Sequence, residues 1–189
     1  MRKMFKSLAL VAALAATPAW AQTDGGATDT DTKSFGVIGT VPALCVGGTL
    51  TNADGNFDMG VLTNTTTGLL RTDLSAPDKL LAGSFCSARS TIAIEASPML
   101  AQNFTATPPA GYSRTVNYTA TASGWTVTPA SFATGALSNS ASVQQRDTAF
   151  TGDIIVGVSD FTTGGGSTLR LVADTNYLGT VTVTLAVVS

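Results

Sequence analysis

The sequence predicts an all-β fold, a sandwich or barrel of many short strands. Three observations lead there. Thr, Ser, Ala, Gly and Val dominate a chain in which charged residues make up only 12%, a composition that suits pleated, half-buried strands and the turns between them. Segments that alternate apolar with small or polar residues recur at fairly even spacing, with turn chemistry between them. No amphipathic helical stretch interrupts them, since Leu69, Leu70, Asp73 and Leu74 could form one turn at most. No internal repeat of a solenoid's period (about 20–50 residues) is visible.

The elements follow in order. Arg2, Lys3 and Lys6 precede the apolar run Leu8 to Ala16, and Ala19-Trp20-Ala21 supplies small residues at a cleavage point. This is the pattern of a secretory signal peptide covering residues 1–21. The apolar run is about half of the roughly 20 residues a spanning helix needs, and Pro18 ends it. No later segment is long and apolar enough, so no membrane span is expected. Residues 22–34 are rich in Asp, Thr and Gly and read as a flexible N-terminal tail. Phe35, Val37, Gly39 and Val41 then alternate with Gly36, Ile38 and Thr40, which reads as a strand closed by Pro42.

Further strands are expected at Phe57 to Leu62 after the turn-rich residues 52–56, at Leu80 to Phe85, and at Thr91 to Ala96. Others are expected at Tyr112 to Ala122, Trp125 to Val127, Thr148 to Val158, Leu169 to Val172 and Thr180 to Val188. Together residues 35–189 suit a single domain with its own core.

Cys45 and Cys86 are the only cysteines. An even count in an exported chain points to a disulfide between them, with two free thiols as the alternative. Metal binding is not expected, because histidine is absent and two distant cysteines make no zinc cage. The alternate oxygens of Asn52, Asp54, Asn56 and Asp58 resemble a calcium loop, but Thr63 stands where the terminal glutamate belongs, so a plain turn is the simpler reading.

Catalysis is not expected either. Without histidine the usual general base near neutral pH is missing. Glu95 lies mid-strand, and a carboxylate pair would have to come from scattered residues such as Asp147, Asp153 and Asp160, whose positions suit turns. Gly164-Gly165-Gly166 lacks the strand-to-helix setting of a phosphate cradle. The asparagines at 64, 103 and 117 match glycosylation sequons, which arise by chance in a Thr-rich chain. The net charge of −2 becomes more negative once the basic leader is removed, so nucleic-acid binding through a basic patch is not expected. No cofactor is implied.

The two ends of the domain are the informative part. Near the C-terminus, Val181, Val183, Leu185 and Val187 share one face and Thr180, Thr182, Thr184, Ala186 and Val188 the other, after Tyr177 and Gly179. Such a long uncharged strand is an aggregation hazard unless something pairs with it. The segment before Cys45 is a second alternating strand carried on a polar tail. Alternation leaves two arrangements open. In one, both ends pair within one complete sandwich, as in a secreted monomeric coat or binding protein; in the other, one end serves another molecule.

GTVPALCVGG at 39–48, FDMGVL at 57–62, GSFCSARSTIAIEA at 83–96 and DTNYLGTVTVTL at 174–185 resemble, in this order, pilin subunits of the archaic chaperone–usher type, the spore-coat-U-like family. The resemblance spans the expected mature chain and rests on the order of the segments. It implies an immunoglobulin-like sandwich lacking its last strand. It also implies a periplasmic chaperone, an outer-membrane usher, and identical or related subunits joined head to tail into a surface fimbria that supports adhesion or biofilm formation. Phe35, Val37, Gly39 and Val41 then correspond to the alternate positions of a donor strand at residues 35–44. Tyr177, Gly179, Val181, Val183, Leu185 and Val187 correspond to the acceptor groove or the chaperone-binding strand. The alternative donor register is Gly36, Ile38 and Thr40. The tail at 22–34 adds no apolar donor residues, so the donor lies close to Cys45.

Overall fold

The computed structural model describes residues 31–51 and 54–188. The expected signal peptide and most of the polar tail lie outside these residues. Residues from Thr40 onward form one compact unit, and those up to Gly39 fall outside it. Among the described residues there is no helix. The strands are β1 (Cys45–Val46), β2 (Thr49–Thr51), β3 (Lys79–Cys86), β4 (Ser90–Ala101), β5 (Tyr112–Ser113), β6 (Thr115–Ser123), β7 (Ala130–Ala133), β8 (Val143–Arg146), β9 (Phe150–Thr163), β10 (Arg170–Leu171) and β11 (Tyr177–Val187).

The main sheet runs β1-β3-β9-β6-β4-β11, with β2 added to β3, β7 to β6 and β8 to β4. All of these pairs are antiparallel. A short parallel pair joins β10 to β5. Cα atoms of β1 and β3 come within 8 Å of β11 without pairing to it, so the sheet curls into a nearly closed sandwich whose two end strands face each other.

Period-two alternation builds the core. On β6, Val116, Tyr118, Ala120 and Ala122 are buried while the residues between them are partly exposed. Ile92 and Ile94 of β4 and Ile154 and Val156 of β9 meet them from the neighbouring strands. Trp125 is fully buried after the turn at Gly124. Its ring meets Phe150 edge-on with centroids 5.1 Å apart, and its Nε1 donates to Ser90 Oγ at 3.3 Å. Gly124 has φ +90°, and a Cβ there would lie 2.4 Å from the Asp153 carbonyl oxygen, so only glycine fits. Cys45 lies opposite Cys86 in the β1–β3 pair, and the two form a disulfide.

Three bulges bend the long strands. On β3 the register shifts between Leu81 and Ser84, and the freed Gly83 N–H donates to Asp153 Oδ1 at 2.9 Å. On β4, Pro98 and Met99 lie opposite the single residue Gly179; a bulge is one of the few interior sites a proline tolerates. On β9, Asp160 and Phe161 lie opposite Tyr118. There Asp160 takes φ 54°, a left-handed conformation that aspartate adopts more readily than most residues.

The structure corrects several expected elements. Phe35 to Val41 and Phe57 to Leu62 belong to no strand. Both alternate as strands do, but neither has a partner edge, and a strand needs one. Trp125 to Val127 is a bend that leads the chain back into β7. Between Leu62 and Trp125, Leu70 bridges to Thr63.

Candidate functional site

Among the described residues β11 is an end strand, paired with β4 alone. Val188 N–H donates to the Arg89 carbonyl at 2.9 Å, and the register runs from Val187 opposite Ser90 back to Thr180 opposite Ser97. Antiparallel alternation makes Thr182, Thr184 and Ala186 the residues bonded to β4. It turns the N–H and C=O groups of Val181, Val183, Leu185 and Val187 toward the outer edge. On the other side of β4, Ile94 N–H donates to the Ser142 carbonyl, in keeping with Ile94 and Val183 being an unbonded pair. Among the described residues no strand pairs with the outer edge.

The same odd-numbered residues face the core, yet they are incompletely covered. Val181, Val183 and Leu185 pack against it and stay half-exposed, whereas the inward residues of β6 are buried. Val187 is 39% exposed. A core face that shows solvent and an edge that shows unpaired amides coincide on one strand.

A cleft of about 540 Å³ opens beside the first half of β11. Phe57, Met59, Tyr118, Phe161, Gly179 and Val181 line it. The bulges shape its floor. The β9 bulge turns Phe161 inward against Tyr118, with ring centroids 5.9 Å apart. The β4 bulge leaves no room for a side chain at Gly179, whose Cβ would lie 2.7 Å from the Ser97 carbonyl oxygen. A second cleft of about 680 Å³ adjoins the first and shares Phe57, Met59, Met99 and Tyr177 with it. Of the expected acceptor residues, Tyr177, Gly179 and Val181 therefore line the cleft, and Val183, Leu185 and Val187 continue the open edge. Tyr118, Phe161, Phe57 and Met59 were not singled out from sequence. Only the two-residue spacing of Phe57 and Met59 hints at them.

The expected donor residues Phe35, Val37 and Val41 are 87%, 98% and 86% exposed, and Ile38 is 97% exposed. Gly39 is exposed as well. Neither face of this alternating segment is covered, and it has no strand partner among the described residues.

Hydrogen bonding accounts for the dispersed polar groups. Asp147 pairs with Arg89 at 3.2 Å, Asp153 holds the Gly83 amide, and Asp160 accepts from Ser159 Oγ. Asp54 and Asp58 accept the amides of Asn56 and Gly60, which makes them turn formers; Asn52 lies outside the described residues. Asp174 is the most constrained carboxylate. Desolvation pushes its pKa up, but hydrogen bonds from the amides of Phe104 and Asn176 and from Asn103 outweigh it and hold the pKa at about 2. This node fixes the loop that leads into β11. Tyr177 Oη donates to the Val172 carbonyl at 2.9 Å; burial first, then the nearby Asp174 charge, pushes its pKa up. Among the described residues no three metal-ligating side chains gather. What this surface can do chemically is pair backbone and bury apolar side chains.

No protein-family model, curated protein or solved structure matches this chain.

Proposed function

We propose that the protein is a structural fimbrial subunit, exported and assembled by a chaperone–usher system, in which residues 35–41 of one copy add a strand to β11 of the next. The observation that carries this reading is the coincidence, on β11, of an edge unpaired among the described residues with a half-covered core face, in a chain that also presents an exposed alternating apolar segment with no strand partner among those residues. Strand addition satisfies both. Main-chain hydrogen bonds supply the pairing, and alternate side chains fill the cleft. Because donor and acceptor are different surfaces, the contact repeats without closing and generates a filament. A chaperone strand would cover the same edge before assembly.

The competing reading is a secreted monomer with a complete fold. It draws on the approach of β1 and β3 to β11, which narrows the seam.

Surface assembly of single variants tests the proposal, with export measured separately. Val37→Asp and Val41→Asp would bury an unpaired charge at an estimated several kcal/mol and abolish fibres, while Thr40→Asp would be much milder. Loss with Ile38→Asp alone would assign the other register. Normal fibres from Val37→Asp and Val41→Asp would remove the donor role from this segment.

A further inference from the structure

The root of the proposed donor segment is held short. Leu44 N–H donates to Ser87 Oγ at 3.0 Å, and Ser87 N–H donates to the Leu44 carbonyl at 2.9 Å. Ser87 Oγ also donates to the Pro42 carbonyl at 3.2 Å. The next residue, Cys45, is bonded to Cys86. The chain is therefore fixed from Pro42 onward, one peptide unit (about 3.8 Å between Cα atoms) from the exposed Val41. Proline locks its own φ and confines the preceding residue, Val41, to extended conformations. No slack separates the segment from its own domain.

We infer that Ser87, Pro42 and the Cys45–Cys86 bond form a rigid joint, so that strand donation presses the Leu44–Val46 end of one copy directly against the cleft mouth of a second copy of this chain. The inference rests on the strand-donation reading. In the more stable antiparallel pairing, the Val41 end of the donor lies beside the Tyr177–Val181 end of β11, where the cleft opens. With one residue of tether, the donor's own domain must abut that mouth. Both surfaces carry apolar side chains suited to the contact. Leu44 and Val46 are 38% and 45% exposed on one, and Val61 and Leu178 are 62% and 55% exposed beside the clefts on the other. Ser87 is a positioning residue in this scheme, because it touches no part of the neighbour's groove.

The experiment places a photo-crosslinking phenylalanine analogue at position 46 of the otherwise unaltered, surface-assembled protein. It also compares fibres of the unaltered chain with those of a Ser87→Ala, Pro42→Gly double variant. The expected results are crosslinks from position 46 to residues 57–61 or 177–179 of a neighbouring copy, and a several-fold shorter persistence length in the double variant's fibres. Fibres that form without those crosslinks, or whose stiffness survives the double substitution, would overturn the rigid joint and leave strand donation standing. Should the double variant fail to fold, the crosslinks alone decide. A failure of the unaltered protein to form any fibre would overturn the parent reading, and this one with it.

Discussion

The Tyr118 hydroxyl donates to the Thr180 carbonyl at 3.0 Å. This bond crosses from a central strand of the sheet to its open end strand, at the point where both neighbouring bulges distort the ladder. Tyr118 thus holds β11 in place where ordinary strand pairing is weakest, and its ring forms the floor of the cleft.

Tyr118→Phe keeps the ring and removes that bond. The expected loss is about 1 kcal/mol, read from urea unfolding. Burial pushes the Tyr118 pKa from 10.0 up to about 12, so the folded state favours the neutral phenol. That contribution is fully present below pH 10 and is lost as pH rises through about 12. The unaltered protein should therefore lose stability more steeply than Tyr118→Phe over this window.

The disulfide spans 41 residues of sequence. Chain-entropy reasoning gives it about 4 kcal/mol. Unfolding with and without reductant should differ by up to that amount, and intact mass should show no alkylatable thiol before reduction.

Gly179→Ala tests the β4 bulge. Its Cβ would collide with the Ser97 carbonyl oxygen at 2.7 Å and crowd the Met99 amide nitrogen at 3.1 Å. The backbone must move, at a cost of about 1–3 kcal/mol in unfolding experiments. Thr184→Asp, on the exposed face of the same strand, should stay within about 0.5 kcal/mol.

Asp174 contributes to the acid limb. Its pKa, about 2 against an ordinary 3.8, means its stabilising charge is present above pH 3.8 and is lost as pH falls through about 2. Thermal melts across this window should fall more steeply for the unaltered protein than for Asp174→Asn.

The long strands were legible because burial imposes alternation on them. β4, β6 and β11 each carry a period-two pattern that only a half-buried strand needs, and Cys45 and Cys86 announced their own pairing. β2, β7 and β8 were not legible. Thr49–Thr51, Ala130–Ala133 and Val143–Arg146 are too short to display a clear alternation, and distant partners define them. The strand expected at residues 57–62 is the opposite error, and residues 35–41 form no strand within their own chain; both have the same root, since alternation records which faces differ and carries no information on whether a partner edge exists. The cleft floor was hidden for a third reason. Phe161 reaches Tyr118 only because Asp160 adopts a left-handed backbone, and nothing in the residue pattern marks that position.

The most direct test of the central claim is residue-resolved amide hydrogen exchange along β11, in the isolated protein and after assembly. In the isolated protein, Thr182, Thr184 and Ala186, bonded to β4, should be protected, and Val181, Val183, Leu185 and Val187, facing the open edge, should exchange rapidly. After assembly the second set should become protected too. Protection of that set in the isolated protein, or no change in it on assembly, would contradict an edge that waits for another copy's strand.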